Sequence, residues 1–441
     1  MSEVPAKSRL VAYLERARNH VLLSPVVQVL SAACTAGTAI LAARQAQLID
    51  IAGYSSGLAI TAFLSVLIGG GTSLIYVTGD DVDRQAVRSV RWRLIAPLMS
   101  LFAIGFSVVY HQLTPGLPLM SILLGAATVI LTNLAGLEAA SLQRHSRMAQ
   151  WAVATVVSKA LPLIAVAFGG RYSIAMTAGS LLALLACGAL ARSVTAFRIK
   201  TRLPFRTEMR KAYRPSLAFI ALLDVLMLRL PFVLAPTITD ASTAGAFSTM
   251  LSAQQSITAL VTTGLYTIMT IRGTTARPEK SALADRGSER LLVFSAIPIS
   301  IIGAAVAPQA VSLFHIGNID GATAVWIVLM LAVAPIALNR AAQYRYLTYG
   351  RPVAAIRLIS VICVIIVAVC LASIPAHNVR LLASAMLFGE LAGAMYVAIQ
   401  WVHARRGLTA ARDRAEEIAP PHERALDGHT LATERPEPNG S

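Results

Sequence analysis

Twelve runs of mostly apolar residues, each near twenty residues long and set apart by short polar stretches, constrain this chain more than any other feature. A helix that crosses a bilayer needs about 20 such residues. The runs fall near 21–43, 54–77, 94–112, 117–137, 149–169, 172–191, 215–236, 244–270, 291–313, 321–339, 352–374 and 380–403. They are continuous and do not alternate, so they predict helices and not the strands of a barrel. Composition points the same way: 56% of the residues are hydrophobic and 14% charged, against roughly a quarter charged in a soluble domain. The expected fold is an all-α polytopic membrane protein.

The basic residues fix an expected orientation. With the N-terminus inside, the inner segments hold 32 of the 38 Lys and Arg, and the outer segments hold only Arg44, Arg171 and Arg380. Short loops rich in Lys and Arg stay cytoplasmic, so both termini are expected there, in the inner membrane. The net charge of +16 is spread over these loops and forms no domain-sized basic face. Anionic membrane lipids, and not nucleic acid, are the expected partners. Every outer loop is short, the longest about ten residues around 43–53, which leaves no room for an external catalytic domain.

The chain divides into a cytoplasmic or interfacial segment 1–20, a lobe 21–197, a basic linker 198–214, a second lobe 215–403 and a tail 404–441 expected to be disordered. Residues 11–20 have the pattern of an interfacial amphipathic helix, and no cleaved signal peptide is expected. Cys34, Cys187, Cys363 and Cys370 all sit in apolar runs, without metal-ligand spacing. No metal or other cofactor is expected.

An internal repeat relates the halves. Ala52-Gly53-Tyr54-Ser55 opens the second run and Ala244-Gly245-Ala246-Phe247-Ser248 opens the eighth, 192 residues on. The same offset carries run one onto run seven. Ala139-Ala140 before Arg147 parallels Ala341-Ala342 before Arg351. A repeat of six helices preserves orientation, so the halves are expected to be parallel six-helix lobes about a pseudo-twofold axis along the membrane normal, with a site between them.

Motifs of soluble enzymes are weak here. Asp80-Asp81-Val82-Asp83 contains a D-x-D, but in a loop of about sixteen residues. Gly69-Gly70-Gly71 lacks the Lys of a nucleotide loop. The eight histidines form no H-x-x-x-H pair. No catalytic residue is expected.

With two six-helix halves, the Ala-Gly-aromatic-Ser segments, the basic stretch between helices six and seven and Asp224 within FIALLDVLMLRLPFVLAP, the chain resembles the polysaccharide-transporter (Wzx-type) branch of the multidrug/oligosaccharidyl-lipid/polysaccharide exporter superfamily. The likeness covers roughly residues 10–404. It implies a V-shaped pair of lobes that flips a polyprenyl-diphosphate-linked oligosaccharide outward by alternating access, in company with the glycosyltransferases or polymerase of its pathway. A cation-coupled multidrug or small-molecule exporter of the same superfamily is the alternative. Runs one and two, however, hold none of the carboxylates such exporters usually need. A membrane-embedded glycosyltransferase or polymerase is disfavoured by the short outer loops, and a transport-dead scaffold is a further possibility.

Charges inside the runs are the candidate substrate-binding residues, because burying them in lipid is costly. They are Lys159, Asp224, Arg229, Arg357 and Glu390. Arg357 lies near the start of its run and is placed to snorkel to the inner headgroups. Lys159 and Arg229 are the expected cationic contacts of the diphosphate. Asp224 and Glu390 are expected to be their resting partners. Asp224 and Arg229 are about 140° apart around a helix and are not expected to pair with each other.

Overall fold

The computed structural model describes residues 26–45, 47–69, 87–144, 147–195, 207, 215–274, 294–316, 321–348 and 351–418. Among the described residues, the secondary structure is helical and contains no strand. The first lobe comprises α1 (Val26–Arg44), α2 (Leu48–Gly69), α3 (Val87–Leu113), α4 (Leu119–Arg144), α5 (Met148–Ala167) and α6 (Tyr172–Thr195). The second comprises α7 (Pro215–Ile238), α8 (Ala241–Thr274), α9 (Phe294–Ala305 and Ala307–Leu313), α10 (Ala322–Leu331 and Val333–Thr348), α11 (Pro352–Ala376) and α12 (Val379–Ile418). Ten of these are long and apolar enough to cross a membrane by length and composition, and the bent α9 makes eleven. Helix α8, at 34 residues, spans about 50 Å at 1.5 Å per residue and is long enough to cross.

Packing repeats with a shift of six. In the first lobe α4 lies against α2, α3 and α5; in the second, α10 lies against α8, α9 and α11. Gly37 of α1 touches Leu163 of α5, as α7 packs on α11. The α4–α6 contact has its counterpart in Asn339 of α10 against Gly393 of α12. Two lobes of one design therefore follow each other in the chain. Within the first lobe α2 and α4 approach closely: a Cβ on Gly57 would stand 1.9 Å from the Ile122 carbonyl oxygen, and one on Gly125 would stand 2.0 Å from that of Tyr54. Only glycine permits such backbone contact, as at small-residue interfaces in membranes.

Proline shapes several helices, because it removes a ladder hydrogen bond and crowds the carbonyl four residues back. Helix α9 bends by 69° at Val306, next to Pro308. The turn at Ala332 in α10 lies three residues before Pro335. In α3, Pro97 follows a π-helical turn at Arg91–Ile95.

Several boundaries differ from those the apolar runs suggest. Helix α2 begins at Leu48, so Ala52-Gly53-Tyr54-Ser55 lies inside it. Helix α3 begins at Val87 and carries Arg88 and a buried Arg91 into the helix. Arg88 Nη2 pairs with the buried Glu138 of α4 at 2.9 Å. Helix α12 runs on to Ile418, into a tail expected to be disordered. The stretch Thr409 to Ala419 is rich in Ala with Arg and Glu three and four residues apart, and it holds no proline before Pro420, a helix-favouring pattern. The D-x-D loop, residues 1–20 and most of 192–214 lie outside the described residues.

The chain divides into two compact units, Met1–Ala394 and Met395–Ser441. The first holds both lobes as far as the middle of α12. The second is the C-terminal half of that helix and the residues after it.

Candidate functional site

The lobes meet through α2, which packs on both α7 and α8. Contact is closest at one end, where α2 begins, α7 ends and α8 starts. There a Cβ on Gly245 would lie 1.9 Å from the Leu48 carbonyl oxygen. Ser56 Oγ donates to the Phe232 carbonyl at 3.2 Å, Tyr110 Oη to the Val233 carbonyl at 2.6 Å, and Arg44 Nε to the Leu313 carbonyl at 3.4 Å. Among the described residues, the hydrogen bonds that join the lobes all lie at this end.

Polar side chains make each lobe's share of this end rigid. Asp50, buried in the first turn of α2, accepts from the Ser173 amide at 2.7 Å, the Ser173 hydroxyl at 2.9 Å and the Ser121 hydroxyl. Arg171 adds an ion pair at 3.3 Å. One carboxylate thus ties α2, α4 and α6 together. On the second lobe Asp240 caps α8, accepting from the Ser242 and Thr243 amides at 2.9 and 3.0 Å and from the Thr243 hydroxyl at 2.6 Å. Asp240 lies between helices, and the Thr243 hydroxyl holds its carboxyl below the usual carboxylate range.

Lys159 is near the middle of α5, and its side chain is exposed. Arg229 is half-buried on α7. One comes from each lobe. Arg229 Nη1 reaches the Gln255 amide oxygen of α8 at 3.5 Å, and its guanidinium lies 5.7 Å from the Phe232 ring centroid. Gln255 Nε2 in turn donates to the Leu228 carbonyl at 3.1 Å. Among the described residues neither Lys159 nor Arg229 has a carboxylate partner.

The expected resting partners are engaged elsewhere. Asp224 pairs with Arg340 at 2.5 Å, and Arg340 Nη1 also donates to Gln343 at 2.9 Å. Glu390, 3% exposed, accepts from Asn339 Nδ2 at 2.7 Å, on both its carboxylate and its carbonyl oxygen. Arg340 looked like a loop residue in the sequence because the apolar run ends at 339. The structure carries α10 through it to Thr348 and so brings Asn339, Arg340 and Gln343 into the second lobe's interior. The signal that could have found them is the three-residue spacing of Arg340 and Gln343, one turn beyond Pro335. Arg357 is exposed near the start of α11.

No group of His, Cys, Asp and Glu suited to a metal ion occurs among the described residues. A shallow recess is lined by Arg44, Pro308, Gln309, Ser312, Leu313 and His315. It includes none of the intramembrane charges and is assigned no role.

The fold is that of the transporters of the multidrug/oligosaccharidyl-lipid/polysaccharide exporter superfamily. The chain is similar in structure to the lipid II flippase MurJ in an inward closed conformation, with a TM-score of 0.60 over 86% of this chain and 87% of that one, at 12% identity. It is similar to a superfamily transporter from Pyrococcus furiosus, described as having reverse polarity of its binding pocket, with a TM-score of 0.55 over 88% and 96% at 9% identity. An inward-facing multidrug resistance MATE transporter matches with a TM-score of 0.53 over 90% and 95% at 11% identity. No protein-family model and no curated protein sequence matches the chain.

Proposed function

We propose that this protein is a transporter that flips a polyprenyl-diphosphate-linked oligosaccharide from the inner to the outer leaflet by alternating access. The observation that carries the reading is a pair of cations inside the spans, Lys159 of α5 and Arg229 of α7, one from each lobe and neither with a carboxylate partner among the described residues. Two like charges in a membrane interior are unfavourable until something anionic joins them. A diphosphate supplies that charge and offers several acceptor oxygens to Lys and Arg. A cationic drug would meet repulsion at the same place. The carboxylates Asp224 and Glu390 are already held by Arg340 and Asn339, which leaves them poorly placed to receive such a cargo.

In this reading the lobes are joined at the outer end, and the cations wait for a substrate arriving from the inner leaflet. Both termini are then cytoplasmic. Diphosphate bound between Lys159 and Arg229 compensates both charges and lets the lobes draw together around it. The test uses purified protein in liposomes with a fluorescent polyprenyl-diphosphate glycan and no ATP. Lipid should reach the outer leaflet with the wild-type protein and stop with Lys159→Ala or Arg229→Ala. Full transport by both variants, at normal expression, excludes the site.

A further inference from the structure

Helix α7 carries two prolines near its end, Pro231 and Pro236. Proline has no amide hydrogen, so Pro236 leaves the carbonyl of Phe232, four residues back, without its helix donor. A buried carbonyl without a partner is costly, and Phe232 is 2% exposed. Its missing donor comes from the other lobe: Ser56 Oγ on α2, at 3.2 Å. The next carbonyl, Val233, accepts from Tyr110 Oη on α3 at 2.6 Å, and the same hydroxyl lies 3.4 Å from Ser56 Oγ. Ser56 is fully buried and Tyr110 is 7% exposed, so water does not readily replace either donor.

We propose that the Pro236 break in α7 and the hydroxyls of Ser56 and Tyr110 form a conformational latch that holds this end of the two lobes shut. Opening the end withdraws both donors and leaves the Phe232 carbonyl unpaired until water arrives. An unbroken helix would keep that carbonyl satisfied in either state and remove the Ser56 bond's preference for the closed state. The break thus makes the closed state the one in which every backbone acceptor at the joint is filled. The close approach of α2 to α8 at Gly245 and Leu48 brings the donors into range.

The test is conformational and needs no substrate, so its failure is separate from failure of the transport reading. Spin labels are placed at Phe168→Cys and Ala376→Cys, exposed positions of the first and second lobe at this end, in a protein whose native cysteines are replaced by alanine. Distance distributions are then measured by pulsed electron resonance in nanodiscs. The Ser56→Ala/Tyr110→Phe variant should raise the open-to-closed ratio about tenfold, as expected for two ordinary hydrogen bonds. Tyr110→Phe alone, which removes one oxygen and leaves the packing intact, should give about threefold. Pro236→Ala, which returns a helix donor to Phe232, should move the ratio in the same direction by less. Ser100→Ala, whose hydroxyl bonds only within its own helix at 2.9 Å, should leave it unchanged. A Tyr110→Phe, Pro236→Ala or double-variant distribution matching the wild type, or an opening by Ser100→Ala as large as theirs, overturns the latch.

Discussion

The Arg340 guanidinium meets the Asp224 carboxylate at 2.5 Å, joining the middle of α10 to the middle of α7. The side chains are 15% and 29% exposed, so the pair is neither fully buried nor freely hydrated. Removing one member leaves an uncompensated charge inside the lobe, which is costlier than removing both. Arg340→Ala should therefore destabilise the protein by about 2 to 3 kcal/mol, below the range for a fully buried pair. Arg340→Ala combined with Asp224→Asn should recover much of the loss. Thermal unfolding in detergent measures both, and equal destabilisation by the single and double variants would mean the pair is not coupled.

Gln255 holds Arg229 from α8 while bonding the Leu228 carbonyl. Gln255→Leu should free the guanidinium and weaken binding of a diphosphate lipid several-fold with little change in stability. Arg229→Lys should retain partial binding, since an ammonium keeps the charge and loses the forked donor geometry. Binding of a polyprenyl diphosphate to protein in nanodiscs, followed by tryptophan fluorescence, distinguishes these variants. Equal affinity for wild type and Arg229→Ala would remove Arg229 from the site.

Glycine positions should separate sharply. Gly57→Ala places a methyl 1.9 Å from the Ile122 carbonyl oxygen and should prevent α2 from seating on α4. Expression of folded protein should fall steeply. Gly136 is exposed on α4, and a Cβ there meets nothing within 4 Å. Gly136→Ala should be neutral or stabilising, by up to about 1 kcal/mol from helix propensity. Size-exclusion profiles and melting temperatures of the two variants test the contrast.

Asp240 should make the start of α8 sensitive to acid. Its carboxyl is held below the usual range by the Thr243 hydroxyl. The folded value therefore lies below the unfolded value of about 3.9. The stabilisation it gives is complete above that unfolded value and is lost as pH falls through the folded one. At pH 7, Asp240→Ala should cost about 1 kcal/mol, the usual worth of a helix cap. The gap between variant and wild type should shrink as the pH drops below about 4. A gap that persists unchanged in acid would assign the effect to something other than the ionised cap.

The sequence by itself determined the helical, membrane-spanning architecture and its division into two halves. Continuous apolar runs leave a chain in lipid few other ways to satisfy its backbone, and the repeat at an offset of 192 residues foreshadows packing partners that recur six helices on. It also singled out Lys159 and Arg229, because a charge amid apolar neighbours is visible in one dimension. The partnerships were decided only in three dimensions. Arg340, just past the end of an apolar run, read as a loop residue, yet α10 continues and delivers it to Asp224. Glu138 and Arg88 likewise sat in two apparent loops and proved to be one partly buried contact. The donors to α7 at Phe232 and Val233 come from residues 176 and 123 positions away. Hydropathy reports how much a segment prefers lipid. Which side chains meet depends on helix rotation and crossing, and these are fixed by glycine contacts and proline breaks that act only when the lobes assemble.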